Sequence, residues 1–275
     1  MKAQLWGGSL DEVIKAKPYM GHGEFLWCDL ATFGVDETLR FYRSTFGWTF
    51  NAETFPDGST YHYASNGDEV TAGIYEMPDL YRKDGMSSFW MTYIGVDEIG
   101  PAIDRAAQLG GKLILGPASF GLAASIAMIS DPFGAVFTIF SGRHLQPRKR
   151  QMQAGLHVWD ELVTPDPDKA AEFYSELFDW KIDAPDPEGR RVIRNLAGSV
   201  TAEMRPSITN QSGTARWCVG FGVSDSAAFR DAVSAAGGTL PKPVARGSRG
   251  QEVAADPVGA VFAVMNVRNK KLWID

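Results

Sequence analysis

Cysteine, histidine, net positive charge and long apolar runs are all scarce in this chain of 275 residues. Its two cysteines, Cys28 and Cys218, exclude the disulfide framework of a small secreted domain. No apolar run approaches the roughly 18 residues that suggest a membrane span. The first residues also lack the basic-then-apolar order of a secretory leader. Asp and Glu number 33 against 27 Lys and Arg, for a net charge of −6. That balance argues against a general binder of nucleic acid or of anionic membranes. The expected setting is the cytoplasm, with neither nucleic acid nor membrane as partner. A phosphate-cradling glycine loop is missing too, since Gly247-Ser248-Arg249-Gly250 reads as a hairpin loop.

What the chain does have is a repeat. Trp27-Cys28-Asp29-Leu30 leads into Phe41-Tyr42-Arg43-Ser44-Thr45-Phe46-Gly47-Trp48. Trp159-Asp160-Glu161-Leu162 leads into Phe173-Tyr174-Ser175-Glu176-Leu177-Phe178-Asp179-Trp180, at a constant offset of 132 residues. Asp131-Pro132-Phe133-Gly134-Ala135-Val136-Phe137 returns as Asp256-Pro257-Val258-Gly259-Ala260-Val261-Phe262 at an offset of 125. Self-similarity over such a distance means a duplicated domain, and each copy is long enough to bury a core. The expected division is an appendage at 1–22, a first domain at 23–142, a linker at 143–154, a second domain at 155–268 and a tail at 269–275. Ser9-Leu10-Asp11-Glu12 opens a short helix in the appendage, and Arg148-Lys149-Arg150 reads as a solvated linker face.

Within each copy the periods alternate. Phe25 to Leu30 reads as a strand and Val35 to Phe46 as a helix with Leu39, Tyr42 and Phe46 on one face. Strands at Trp48–Ala52, Thr60–Ala64 and Val70–Met77 follow, separated by turn residues. The order then recurs: strand Phe89–Val96, helix Ile99–Leu109 stopped by Gly110-Gly111, and strands at Lys112–Leu115, Ala124–Ile129 and Ala135–Phe140. The second half matches, with strand Val219–Val223, helix Ser226–Ala236 and Gly237-Gly238. Each half is therefore two βαβββ units, an α+β class.

These paired units, the Phe-Tyr-x-x-x-Phe-x-Trp helix end, the Gly-Gly stop and the Asp-Pro-x-Gly-Ala-Val-Phe turn resemble the vicinal-oxygen-chelate superfamily of glyoxalases, bleomycin-resistance proteins and extradiol dioxygenases. Tandem glyoxalase-like proteins of actinobacterial type are similar over residues 23–142 and 155–268. The resemblance implies a curved, partly open eight-stranded barrel-like sheet per domain, helices on the convex side and a ligand cleft on the concave side. It also implies a divalent metal held by His, Gln or Glu from the first, fifth and eighth strands. Those positions fall on Trp27 and Trp159, Met91 and Cys218, and Thr138 and Ala263. Neither they nor their immediate neighbours supply the expected His/Glu set, so no metal and no cofactor is expected.

Alternation along the strands then selects the cleft residues. In the first domain Trp27, Asp29, Met91, Tyr93 and Thr138 face inward, with Tyr61, Tyr63 and Tyr75 entering from the hairpin strands. In the second domain the set is His157, Trp159, Glu161, Arg216 and Cys218, with a Glu161–Arg216 ion pair expected. Each tryptophan either fills an emptied barrel or forms a stacking wall for an aromatic ligand. Asp29 and Glu161 are either hydrogen-bonded scaffold or general bases raised by burial, with Tyr93 as partner acid. A Cys218–His157 nucleophile pair is a further option. Three function classes remain open. One is a metal-independent isomerase, cyclase or lyase of secondary metabolism acting on a bulky aromatic or polyketide-like molecule. Another is a protein that sequesters a drug or metabolite, and the third is a metal-dependent glyoxalase or dioxygenase. The expected partner is a small aromatic ligand, and the chain is expected to be a monomer or homodimer.

Overall fold

The computed structural model describes residues 21–83, 85–119, 124–142, 145, 147–148, 152–207, 215–240 and 251–268. The helix expected from Ser9, the loop at 247–250 and the tail at 269–275 lie outside them. The first half runs β1 (Phe25–Thr32), α1 (Val35–Phe46), β2 (Thr49–Thr54), β3 (Thr60–Asn66), β4 (Glu69–Glu76), α2 (Asp79–Lys83), β5 (Phe89–Gly95), α3 (Ile99–Gln108), β6 (Lys112–Ser119), β7 (Ala124–Ser130) and β8 (Val136–Gly142). The second half runs β9 (His157–Thr164), α4 (Pro167–Phe178), β10 (Lys181–Ile182), β11 (Arg191–Arg194), β12 (Val200–Pro206), β13 (Arg216–Val223), α5 (Ser226–Ala235), β14 (Glu252–Ala255) and β15 (Val261–Asn266).

Two open mixed sheets result, ordered β2-β3-β4-β1-β5-β8-β7-β6 and β10-β11-β12-β9-β13-β15-β14. The second has seven strands among the described residues, against the eight expected. Residues 241–250 lie outside the described set, and just before them Thr239 makes an isolated bridge to Ala255. Local chemistry fixes the helix ends. Asp166 and Asp225 cap α4 and α5 through backbone N–H groups, whereas Val35 at the start of α1 donates to Glu76. Gly47 and Asp179 end α1 and α4 in the left-handed conformation.

The core is shared between the halves. Phe41, Tyr42 and Trp48 of the first half join Phe221, Phe229 and Phe262 of the second in one apolar cluster. Phe173, Tyr174, Phe178 and Trp180 join Ile94, Phe137 and Ile139 of the first half in another. The repeated motifs also exchange hydrogen bonds. Tyr42 Oη accepts from Trp90 at 2.9 Å and faces Asp256 at 3.5 Å, while Tyr174 Oη accepts from Trp217 at 3.0 Å and donates to Asp131 at 3.1 Å. Trp48 and Trp180 donate to the carbonyls of Gly155 and Gly23, both at 2.7 Å. The Gly-Gly stop thereby gains a second purpose. Gly110 takes a positive φ, but Gly111 and Gly238 leave room for the Phe173 and Phe41 rings of the opposite half. Tyr42→Phe and Tyr174→Phe should each cost about 1–3 kcal/mol in urea unfolding, because a buried indole N–H loses its acceptor. Comparable losses are expected in both variants, and a loss in only one would contradict the reciprocal arrangement.

Candidate functional site

The cleft faces follow from strand register. Trp27 lies opposite Tyr93, and Asp29 is flanked by Met91 on β5 and Gly73 on β4. Tyr93 neighbours Thr138 on β8, while β3 sets Tyr61 opposite Tyr75 and Tyr63 opposite Gly73. Directly paired residues share a face, so the sequence-derived set of the first half does meet on one surface. A cavity of about 570 Å³ opens there, with Asp29, Trp27, Tyr61, Tyr63, Tyr75 and Tyr93 in its lining. Met91 and Thr138 lie buried on the same face and are not part of that lining. Phe55, Phe140 and Ile126 add apolar wall, and His62 and Glu76 also line the cavity. Phe140 follows Thr138 by two positions on β8, so strand alternation already carried that signal.

Asp29 is only 3% exposed. Its Oδ2 accepts from the Tyr93 hydroxyl at 2.7 Å and meets the Tyr61 hydroxyl at 3.5 Å. Trp27 Nε1 donates to Tyr61 Oη at 2.9 Å. Oδ1 has no hydrogen-bond partner among the described residues. Burial pushes the carboxyl up to about 7, and the two tyrosine hydroxyls pull it back part of the way. Burial and the Asp29 charge push both phenols well above their ordinary range, so they stay protonated as donors. Tyr63 is committed elsewhere: it donates to Glu53 at 3.1 Å, and burial first, then Glu53, push it up to about 12.

The second cleft differs from its expectation in two respects. Arg216 is exposed, and the ion pair to Glu161 comes instead from Arg205 on β12, Nε to Oε1 at 3.0 Å. Glu161 has a neighbour strand on each side, and the cation is supplied from the side of β12. Burial raises the Glu161 carboxyl and Arg205 lowers it. His157 is the second correction. A bulge between the Trp159–Gly220 and His157–Phe221 pairs inserts one residue, which turns His157 away from the Trp159/Glu161 face. Its ring bonds Asp160 at 3.0 Å and packs on Phe221 in the shared core. Cys218 stays opposite Glu161 on the cleft side, so the Cys218–His157 pair is not formed. Burial and then Glu161 push the Cys218 thiol up to about 12, the reverse of an activated thiol. Trp159 packs with Leu156, Val158 and Met265.

The linker reading also needs correction, because Arg148 is no solvated residue. Its Nη1 lies 3.1 Å from Asp160 Oδ2, and its side chain is 12% exposed. Asp160, fully buried, also accepts from Thr92 of the first half at 2.9 Å.

The first cleft does not fit a divalent metal. Among the described residues no three His, Cys, Asp or Glu side chains gather. Asp29 and Glu76 both line the cavity, but the groups hydrogen-bonded to Asp29 are phenols that hold their protons, not the oxygen and nitrogen ligands such a cation requires.

Comparison with known proteins agrees with this architecture. A family model for the Glyoxalase/Bleomycin resistance protein/Dioxygenase superfamily matches residues 24–139, and one for a glyoxalase-like domain matches 158–265. CFP32 of Mycobacterium tuberculosis, provisionally named a glyoxylase, is 30% identical over 87% of this chain and 93% of its own. The anthracycline biosynthesis protein DauV of Streptomyces sp. is 27% identical over 88% and 92%. The Mn(II)-bound glyoxalase of Novosphingobium aromaticivorans shares the fold at a TM-score of 0.59 and 12% identity, covering 89% of this chain and 82% of that one.

Proposed function

The chain belongs to the glyoxalase/bleomycin resistance/dioxygenase superfamily, and from that premise we propose that its first cleft is the active site of a metal-independent acid–base enzyme. Its substrate is a bulky aromatic or polyketide-like small molecule of secondary metabolism, and the similarity to DauV supports that class. The observation that carries the reading is Asp29: a buried carboxyl in the lining of the aromatic cavity, raised to about 7, whose Oδ1 is buried without a hydrogen-bond partner. A general base works best when its pKa lies near the operating pH.

In the proposed step, the Asp29 carboxylate takes a proton from a carbon next to a ligand carbonyl, and the C–H electron pair moves into an enolate. Once protonated, Asp29 accepts hydrogen bonds less strongly, because ionised acceptors bind donors about twice as tightly. The Tyr61 hydroxyl is thereby released toward the ligand oxyanion. Return of the proton to another carbon completes an isomerisation, and loss of a leaving group completes an elimination. Enolate attack on a second carbonyl closes a ring, and the alkoxide formed there takes the proton back from Asp29. Glu161, held by Arg205, is read as scaffold of the second cleft.

Solvent-deuterium exchange tests the reading. Polycyclic aromatic ketones with an enolisable C–H are incubated with the protein in D2O and analysed by mass spectrometry. Exchange at that carbon is expected, at least about a hundredfold slower in Asp29→Asn and retained in Glu161→Gln. The aromatic lining also suits a sequestering protein. Ligands that quench tryptophan fluorescence but return without exchange or conversion would favour sequestration and sink the enzyme reading.

A further inference from the structure

Tyr61 reaches Asp29 from two strands away. Tyr61 sits on β3, Asp29 on β1, and β4 runs between them. Adjacent strands are about 4.8 Å apart, so the ring must cross β4 to bring its hydroxyl to the carboxylate. It crosses at Gly73, the Cα partner of Asp29. A Cβ built on Gly73 would stand 1.7 Å from Tyr61 Oη and 2.1 Å from Cζ. Gly73 is not among the residues with positive φ, so no turn requires a glycine there. Glycine within a strand marks a bulge or a close approach, and here the neighbour approaching is the Tyr61 phenol.

We propose that Gly73 is a positioning residue of the first cleft: its missing side chain is the seat that holds the Tyr61 hydroxyl between Trp27 Nε1 and Asp29. The proposal rests on the Asp29 site described above, but not on the reaction assigned to it. Groups facing Asp29 are Trp27 on its own strand, Tyr61 and Tyr63 on β3, Tyr75 on β4, and Tyr93 and Met91 on β5, with Cys28 adjacent in the chain. None of them is a cation. The charge of Asp29 is thus moderated by hydroxyl donors, and Tyr93 alone remains at short range when Tyr61 is displaced. The colliding atoms belong to the far end of a side chain rather than to backbone. A methyl at position 73 therefore swings Tyr61 aside instead of breaking the sheet.

The test reads Asp29 directly and needs no substrate. Carboxyl carbons of the full-length protein are labelled at aspartate, and the Asp29 signal, assigned by its loss in Asp29→Asn, is followed by 13C NMR against pH. Gly73→Ala should raise the Asp29 midpoint by about one pH unit, the worth of one hydrogen bond to a charged acceptor. Tyr61→Phe, which keeps the ring and the native Gly73, should raise it similarly. The double variant Gly73→Ala/Tyr61→Phe should show no further rise. A midpoint that moves in Tyr61→Phe but stays put in Gly73→Ala would overturn the seat. An unmoved midpoint in both would overturn the coupling of Tyr61 to Asp29. Neither result depends on deuterium exchange, so a failed exchange experiment and a failed seat remain separate outcomes.

Discussion

Asp160→Ala is expected to unfold about 3–5 kcal/mol more readily than the native chain, the usual cost of removing one partner from a buried ion pair. Asp160 is fully buried and is held by one ion pair and two hydrogen bonds from three parts of the molecule. Arg148 comes from the segment joining the halves, His157 from the start of β9, and Thr92 from β5 of the opposite sheet. Burial alone would raise the carboxyl, yet its pKa lies below the ordinary value because His157 and then Arg148 favour the charged form. Deleting the carboxylate strands a largely buried guanidinium, since the Arg148 backbone is also tied to Phe25 and its Nη2 donates to Thr201. Urea unfolding at neutral pH measures the loss. A change below about 1 kcal/mol would mean that water replaces the carboxylate, as at surface pairs. Asp160→Asn should lie between the two, because the amide keeps an acceptor and drops the charge.

That network shows where the sequence was readable. The repeat, the βαβββ order and the cleft faces of β1, β3, β4 and β5 all depend on period-two alternation and on turn residues, which are local. Trp27, Asp29, Tyr61, Tyr63, Tyr75 and Tyr93 therefore met as expected. What escaped was nonlocal. The aromatic faces of α1 and α4 look the same whether they pack on their own half or on the other. The bulge that turns His157 around changes spacing by one residue and leaves no compositional mark. Arg205 and Arg216 both stand on strands beside β9, and only the three-dimensional arrangement assigns Glu161 to Arg205. Arg148 was hidden by its company: inside Arg148-Lys149-Arg150 one basic residue looks like the next, though this one faces a buried Asp160.

Asp29 makes the opposite contribution to stability, and its removal should strengthen the fold at high pH. The folded-state pKa is raised from the ordinary 3.8 to about 7. Between those values the folded chain holds a proton that the unfolded chain has released. Stability therefore falls as pH rises through that window and stays at its lower level above it. A gap of roughly three pH units is worth about 4 kcal/mol at pH 8. Asp256, raised to about 6 chiefly by burial, acts in the same direction. Asp29→Asn keeps the size of the side chain and an acceptor for Tyr93 but never carries the charge. Relative to the native chain, it should gain up to about 4 kcal/mol in urea unfolding at pH 8 and nothing at pH 4. A variant no more stable than the native chain at pH 8 would show that the carboxylate is charged in the fold at little cost. The expected gain, paired with lost exchange activity, is the trade in which a strained functional group is kept at the expense of stability.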